Sequence, residues 1–192
     1  MRTHVLCLSL LLACSSLFLS AVAGEFELER DHPPAAEFRD GRGTCRQYTQ
    51  HNAHYNHSTI FVMDDLPRDR TYVAMNVTHK RAGAVKLVLR AKREGEDLQQ
   101  VRLKSFGHGG RGQNFVDTTF SDDAAEHFPI WQEEAPFTGV FEPDVHMSKL
   151  AGGASAAKWT LLAINRDGHT PRIDSWTLTF CDNNAGAGDG GL

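Results

Sequence analysis

The chain has 192 residues, a formal charge of −4 and a pI near 6.2, with 20 basic and 24 acidic side chains. That length has room for one domain with its own core. Lys and Arg are scattered rather than clustered, which excludes nucleic acid and an anionic membrane surface as implied partners.

Met1-Arg2-Thr3-His4 leads into an apolar run from Val5 to Leu19, followed by Ala21-Val22-Ala23. A basic start, a short apolar stretch and small residues at the cut define a secretory signal peptide over residues 1–23. Ser and Cys interrupt the run, and it is short for a bilayer span. No later segment is long and apolar enough to be transmembrane. The mature protein is therefore expected to be secreted or held in the secretory lumen, with no membrane attachment once the signal is removed. Cys7 and Cys14 leave with the signal. Cys45 and Cys181 remain, an even count in an oxidising compartment, and are expected to form a disulfide.

Residues 24–58 are polar, with acidic and proline-rich patches, and read as an irregular N-terminal arm tied down by Cys45. Within them, His51-x-x-His54-x-x-His57 has donors that suit a transition metal. Asn52, Tyr55 and Asn56 make a poor helix, and no Cys or carboxylate completes the set nearby, so exposed loop histidines are the expectation. Asn56-His57-Ser58 and Asn76-Val77-Thr78 are glycosylation acceptors, with Asn56 and Asn76 as the attachment points in a glycosylating host.

Short strands follow. Thr59–Met63 is an apolar run closed by Asp64-Asp65-Leu66-Pro67. Arg70–Thr78 alternates with Val73, Met75 and Val77 inward, which turns Asn76 to solvent. Ala84–Arg90 alternates with Val85, Leu87 and Leu89 on one face, and Leu98–Leu103 is a weaker strand after the hairpin loop Glu94–Asp97. The glycine-rich stretch Phe106–Gly112 lacks the phosphate-cradle pattern and is expected to be a freely turning surface connection. Near the C-terminus, Trp159, Leu161 and Ala163 share one face, with Leu162 and Ile164 making the other apolar too. That strand is expected to be central and covered on both sides. In Arg172–Cys181, Trp176, Leu178 and Phe180 alternate with Thr177 and Thr179. Asn165-Arg-Asp-Gly168 and Pro171 supply a turn, so the two Trp-bearing strands are expected to pair side by side. The core thus centres on Trp159, Leu161, Trp176, Leu178 and Phe180. Evenly spaced short strands without an amphipathic helix indicate an all-β, antiparallel β-sandwich. Residues 182–192 are a glycine-rich, disordered tail.

From residue 113 the chain reads Gln-Asn-Phe115, Thr118-Thr-Phe-Ser-Asp-Asp-Ala124, Pro136-Phe-Thr-Gly139, Phe141-x-Pro143, Leu150-x-Gly152, Trp159-Thr-Leu161 and Ile173-x-x-Trp176-x-Leu-x-Phe180. In order and spacing this series resembles the P domain (P/Homo B domain) that follows the subtilisin-like catalytic domain in kexin, furin and related proprotein convertases. The resemblance covers residues 59–181 and is strongest after 113. It implies a β-sandwich of jelly-roll (galactose-binding-like) type and an association with serine endopeptidases and proteolysis. Ala157 stands where the family usually has Gly, Asn165 where it has Asp, Thr170-Pro171-Arg172 near its Asp-x-Gly, and Ala84–Lys86 at its Asp-Leu. Some P domains bind calcium through such positions. The remaining carboxylates here are Asp117, Asp122, Asp123 and Glu126, which either supply calcium ligands or form a solvated acidic loop.

No segment resembles the Asp, His or Ser motifs of a subtilisin-like catalytic domain, and there is no nucleophile-elbow pattern, so no intrinsic activity is expected. His108, His127, His146 and His169 are read as loop residues without a partner. Phe128, Trp131, Glu133 and Glu134 form a candidate binding loop, with the alternative that Trp131 caps the core. The expected partner is a protein, such as a separately encoded subtilisin-like protease that this domain stabilises or regulates. An extracellular glycan or cell wall is a further alternative.

Overall fold

The structure, a computed structural model, describes residues 36–51, 55–131, 135–150 and 155–183. The signal segment 1–23, His54, Glu133, Glu134 and the tail beyond Asn183 lie outside the described residues. Among the described residues there are ten strands: β1 Ala36–Arg39, β2 Thr44–His51, β3 His57–Val62, β4 Arg70–Thr78, β5 Val85–Lys92, β6 Gln99–Lys104, β7 Phe115–Ser121, β8 Phe137–Phe141, β9 Ala157–Asn165 and β10 Arg172–Cys181. Two single-turn 3-10 segments, Ala82–Ala84 and Met147–Lys149, join them, and no α-helix occurs among the described residues. None of these elements is a helix long and apolar enough to cross a membrane.

The strands form a six-stranded sheet in the order β1-β2-β10-β4-β7-β8 and a four-stranded sheet in the order β3-β9-β5-β6. The protein is an all-β sandwich. Most connections pass from one sheet to the other. The β1–β2 and β5–β6 hairpins stay within a sheet, as does the connection 122–136 between β7 and β8, which are parallel. Parallel neighbours cannot be joined by a tight turn and need a crossover of about a dozen residues or more. That requirement creates the segment on which the functional site is built.

The alternation read from the sequence decides which side chains fill the gap between sheets. Val73, Met75 and Val77 of β4, Leu87 and Leu89 of β5, Trp159, Leu161 and Ala163 of β9, and Trp176, Leu178 and Phe180 of β10 are all buried. Burying a large apolar side chain contributes about 1.5–3 kcal/mol, so these inner faces dominate the stability. A bulge between Ile173 and Ser175 lets both Ile173 and Trp176 face inward despite their odd spacing.

Three expectations change. The Trp-bearing strands do not pair. β9 lies between β3 and β5, and β10 between β2 and β4, in opposite sheets. They meet across the core, where the Trp159 and Phe180 rings are 5.3 Å apart and Trp176 Nε1 donates to Ser58 Oγ of β3 at 2.9 Å. Alternation specifies which face is buried but not which neighbour completes the sheet, and the connection 166–171 is long enough to cross between layers about 10 Å apart. Leu162 and Ile164, on the outer face of β9, are half-exposed rather than covered.

The supposed irregular arm contains β1, β2 and the start of β3. β2 pairs with β10 from His51↔Ser175 to Cys45↔Cys181. Only Cys45 and Tyr48 of β2 are buried, so its pattern is too sparse to see without its partner strand.

Candidate functional site

The crossover 122–136 begins at Asp122, whose carboxylate accepts from the backbone N–H groups of Met147 (2.7 Å) and Ser148 (2.8 Å), fixing the 147–149 turn. Phe128 then enters the core at 3 % exposure. Its ring packs against Phe137 (4.9 Å), Phe141 (5.1 Å), Phe115 (5.7 Å) and Phe120 (6.1 Å). The Pro129 carbonyl accepts from Gly109 N at 2.7 Å. Immediately afterwards, Ile130 and Trp131 are 56 % and 72 % exposed. The candidate binding loop therefore divides. Phe128 is a core anchor rather than a contact residue, and Trp131 presents its indole to solvent rather than capping the core.

Lys104 lies beneath this anchor. A bulge opposite Leu87 and Val88 leaves Leu103 and Lys104 both buried at the end of β6. The Nζ donates to the carbonyls of Ala82 (2.9 Å), Val85 (2.7 Å) and Ser105 (3.0 Å). It also sits over the Phe128 and Phe115 rings, at 5.4 and 5.7 Å. Burial pushes the Lys104 pKa down to about 7, with Asp144 opposing and Arg166 reinforcing the shift. The carbonyls and ring faces favour the charged form, so one ammonium ties the 82–84 turn, β5 and the aromatic floor of the crossover together.

The glycine-rich stretch is part of the same support and is not a free connection. Gly83 N donates to Gly110 O (3.1 Å), Gly107 N to Gly83 O (2.8 Å) and Ala82 N to Gly112 O (2.7 Å). A Cβ on Gly83 would stand 2.4 Å from Gly110 O, and one on Gly112 would stand 2.7 Å from the Phe137 ring. Close approach demands glycine at 83 and 112, and left-handed backbone (φ 98°, 82° and 49°) demands it at Gly107, Gly109 and Gly110. No sequence motif singled out Lys104, because its inward direction depends on the bulge.

The four calcium candidates have separate tasks. Asp117 holds a left-handed backbone (φ 48°) and locks it reciprocally with Asn76: Asp117 N donates to Asn76 Oδ1 at 2.9 Å, and Asn76 Nδ2 to Asp117 Oδ1 at 3.2 Å. Asp122 caps the 147–149 turn, Asp123 lies 3.8 Å from Arg42, and Glu126 is exposed, with its backbone carbonyl accepting from Glu142 N at 2.6 Å. Among the described residues, the three potential ligands drawn into one tight group are Asp40, Cys45 and Cys181. Both cysteines of that group are consumed by the Cys45–Cys181 disulfide.

Two of the four histidines read as loop residues without a partner, His127 and His146, have one. His127 Nδ1 lies 3.0 Å from Glu142 Oε2, and His146 Nε2 lies 2.7 Å from Glu142 Oε1. His108 Nδ1 is buried 3.7 Å from Asp144 Oδ1, too far for a hydrogen bond, and the backbone carbonyl of His169 contacts buried His79 Nε2 at 2.7 Å. His51 ends β2 and His57 opens β3, so the 51–57 spacing spans a crossing between sheets rather than a helix. The parallel register of β7 and β8 brings His127 to Glu142, and sequence spacing gives no hint of it.

Both sequons have structural contacts. Asn76 Nδ2 also donates to Ser175 Oγ at 3.2 Å. Asn56 is half-buried, its carbonyl accepts from Ala163 N at 2.8 Å, and Ser58 of the same sequon is buried under Trp176.

No family model matches the chain, and no curated protein matches it. Among solved structures it is similar to a chain in the crystal structure of the Aeromonas sobria serine protease and chaperone (ORF2) complex. That match has 12 % identity and a TM-score of 0.38, over 80 % of this chain and 28 % of that one. It is similar also to the crystal structure of the serine protease of Aeromonas sobria, with 12 % identity and a TM-score of 0.38 over 78 % of this chain and 27 % of that one. The chain thus spans under a third of the length of these matched chains. Likeness at this level says nothing of activity or partners.

Proposed function

We propose that this protein is a secreted, non-catalytic P/Homo B-like β-sandwich that works as a binding or protease-accessory module. The observation that carries this proposal is the exposed Ile130–Trp131 pair on a crossover whose preceding residue but one, Phe128, is buried. An aromatic held in place by its own backbone loses little conformational entropy on binding, and exposed Trp side chains in such settings supply much of an interface's affinity. The resemblance in residues 113–181 supports a subtilisin-like serine protease as partner. The chain would then belong to a serine endopeptidase system by association, with the partner performing proteolysis. The mature chain alone is expected to leave fluorogenic peptides uncleaved. Added to a purified subtilisin-like serine protease, it is expected to lengthen the half-life of that protease's activity at raised temperature. Peptide cleavage by the chain alone, or an unchanged half-life, contradicts the proposal.

One surface favours a second function. A depression of about 360 Å³ beside the disulfide combines the Phe38 and Tyr72 rings with the hydroxyl-bearing Thr119, Thr177 and Thr179. Rings beside hydroxyls suit an extracellular glycan. A glycan array that retains no mature protein would dismiss this second function.

A further inference from the structure

Taking the depression beside the disulfide as a glycan surface, we propose that Asn76 carries an N-linked glycan whose first sugars lie in it. On that reading of the surface, its occupant is the chain's own carbohydrate rather than an external one. Asn76-Val77-Thr78 lies in β4, where Val73, Met75 and Val77 are buried, so Tyr72, Ala74 and Asn76 share the outer face. Asn76 Nδ2 stands on that face, 3.2 Å from Ser175 Oγ of β10 and 3.2 Å from Asp117 Oδ1 of β7. At about 3.3 Å per residue, Ala74 lies about 7 Å and Tyr72 about 13 Å along the strand from Asn76. Both residues line the depression.

Ala74 sits between Thr177 of β10 and Thr119 of β7, so a sugar leaving Asn76 meets a methyl group flanked by two hydroxyls. Beyond it, the Tyr72 ring is fixed through its hydroxyl, which accepts from Arg42 Nη2 at 3.2 Å and Arg70 Nη1 at 3.3 Å. Phe38, on β1 three strands away, lines the far side and is 39 % exposed. Asp40, the carboxylate of the lining, is paired with Arg70, which leaves a surface suited to a neutral sugar. A tethered sugar meets this surface at an effective concentration on the order of millimolar, so a site too weak to hold a free glycan is filled by an attached one. Attachment joins Asn76 Nδ2 to the anomeric carbon of a lipid-diphosphate-linked oligosaccharide in the secretory lumen. The bond from that carbon to the diphosphate breaks, the lipid diphosphate leaves, and the amide nitrogen gives up one of its two protons. The other proton remains for Asp117 or Ser175. Asn56, in the other sequon, precedes β3 of the four-stranded sheet and is not on this face.

The full chain, secreted from cultured mammalian cells, is treated with peptide-N-glycosidase F in native and in denatured form, with occupancy read by mass spectrometry. Asn76 should be occupied, and its glycan should leave the native protein at least tenfold more slowly than the denatured chain. Phe38→Ala, on an edge strand far from the attachment point, should remove most of that protection, as should Tyr72→Ser. Asn56→Gln should leave it unchanged. An unmodified Asn76, equal release from native and denatured protein, or protection indifferent to both Phe38→Ala and Tyr72→Ser would overturn the tethered occupant. Thr78→Val destroys the acceptor while keeping Asn76, and its behaviour on a glycan array tests the surface itself. If the tethered occupant fails while Thr78→Val is retained on the array, the depression takes external sugars instead. If Thr78→Val is not retained either, the reading of the depression as a glycan surface falls as well.

Discussion

At the Cys45 end of the sandwich the strand termini are cross-linked, whereas at the Lys104 end they are packed. The Cys45–Cys181 disulfide closes a separation of 136 residues. Beside it, buried Arg70 donates to Asp40, to Asn183 Oδ1 (2.9 Å) and to the Asp182 carbonyl (2.9 Å). Asp182 also accepts from Thr44 N at 2.8 Å. That end therefore joins the first hairpin, the start of β4 and the end of β10 through covalent and ionic links. The other end depends on glycine close approach, one buried ammonium and a cluster of phenylalanine rings. Its links are shape-dependent, and it is this end that supports the crossover presenting Ile130 and Trp131. A rigid clasp at one pole leaves the other free to specialise in presentation.

The largest expected effect comes from breaking the clasp. Replacing both cysteines by alanine removes up to about 5 kcal/mol in the chain-entropy model for so long a loop. Denaturant melts of the reduced and double-alanine forms should agree with each other. At the opposite pole, Lys104→Met leaves three carbonyls without their donor and should cost about 2–4 kcal/mol by the same measurement. Arg70→Met, which severs the ionic part of the clasp, should cost about 2–3 kcal/mol.

Acidity and alkalinity separate the two poles. The hydrogen bond from the Arg70 guanidinium holds the Asp40 carboxyl well below the usual carboxylate range. The stability this contributes is present above about pH 4 and is lost as pH falls further. Lys104 behaves in the opposite sense. Its folded pKa of about 7 lies below the ordinary 10.5, so the unfolded chain binds more protons between these values. Stability from this group therefore rises as pH climbs from about 7 towards 10.5. The melting temperature should rise over that interval in the native protein, and Lys104→Met should lose the rise. The smallest effect on stability belongs to Trp131→Ala, within about 0.5 kcal/mol, because most of the side chain faces solvent.

Strands with one strongly apolar face were legible in the sequence: Arg70–Thr78 reads as alternating and forms β4 over those same residues. β2 was not legible, because its stability comes from pairing with β10 rather than from its own pattern. The opposite-sheet placement of β9 and β10 was hidden because alternation carries no information about partners. At the site, Trp131 was legible as an aromatic in a polar connection. Phe128 was not separable from it until the rings of Phe115, Phe137 and Phe141 were placed around it. Lys104 and the His127–Glu142 contact depend on a bulge and a parallel register, which no local window contains.

The most direct test is the affinity of the mature chain for a purified subtilisin-like serine protease, measured for the native protein and for Trp131→Ala at matched melting temperatures. Binding by the native chain, weakened at least tenfold by the substitution, is the predicted result. Equal affinity of the two forms, or no binding by the native form, would contradict recognition through the exposed loop.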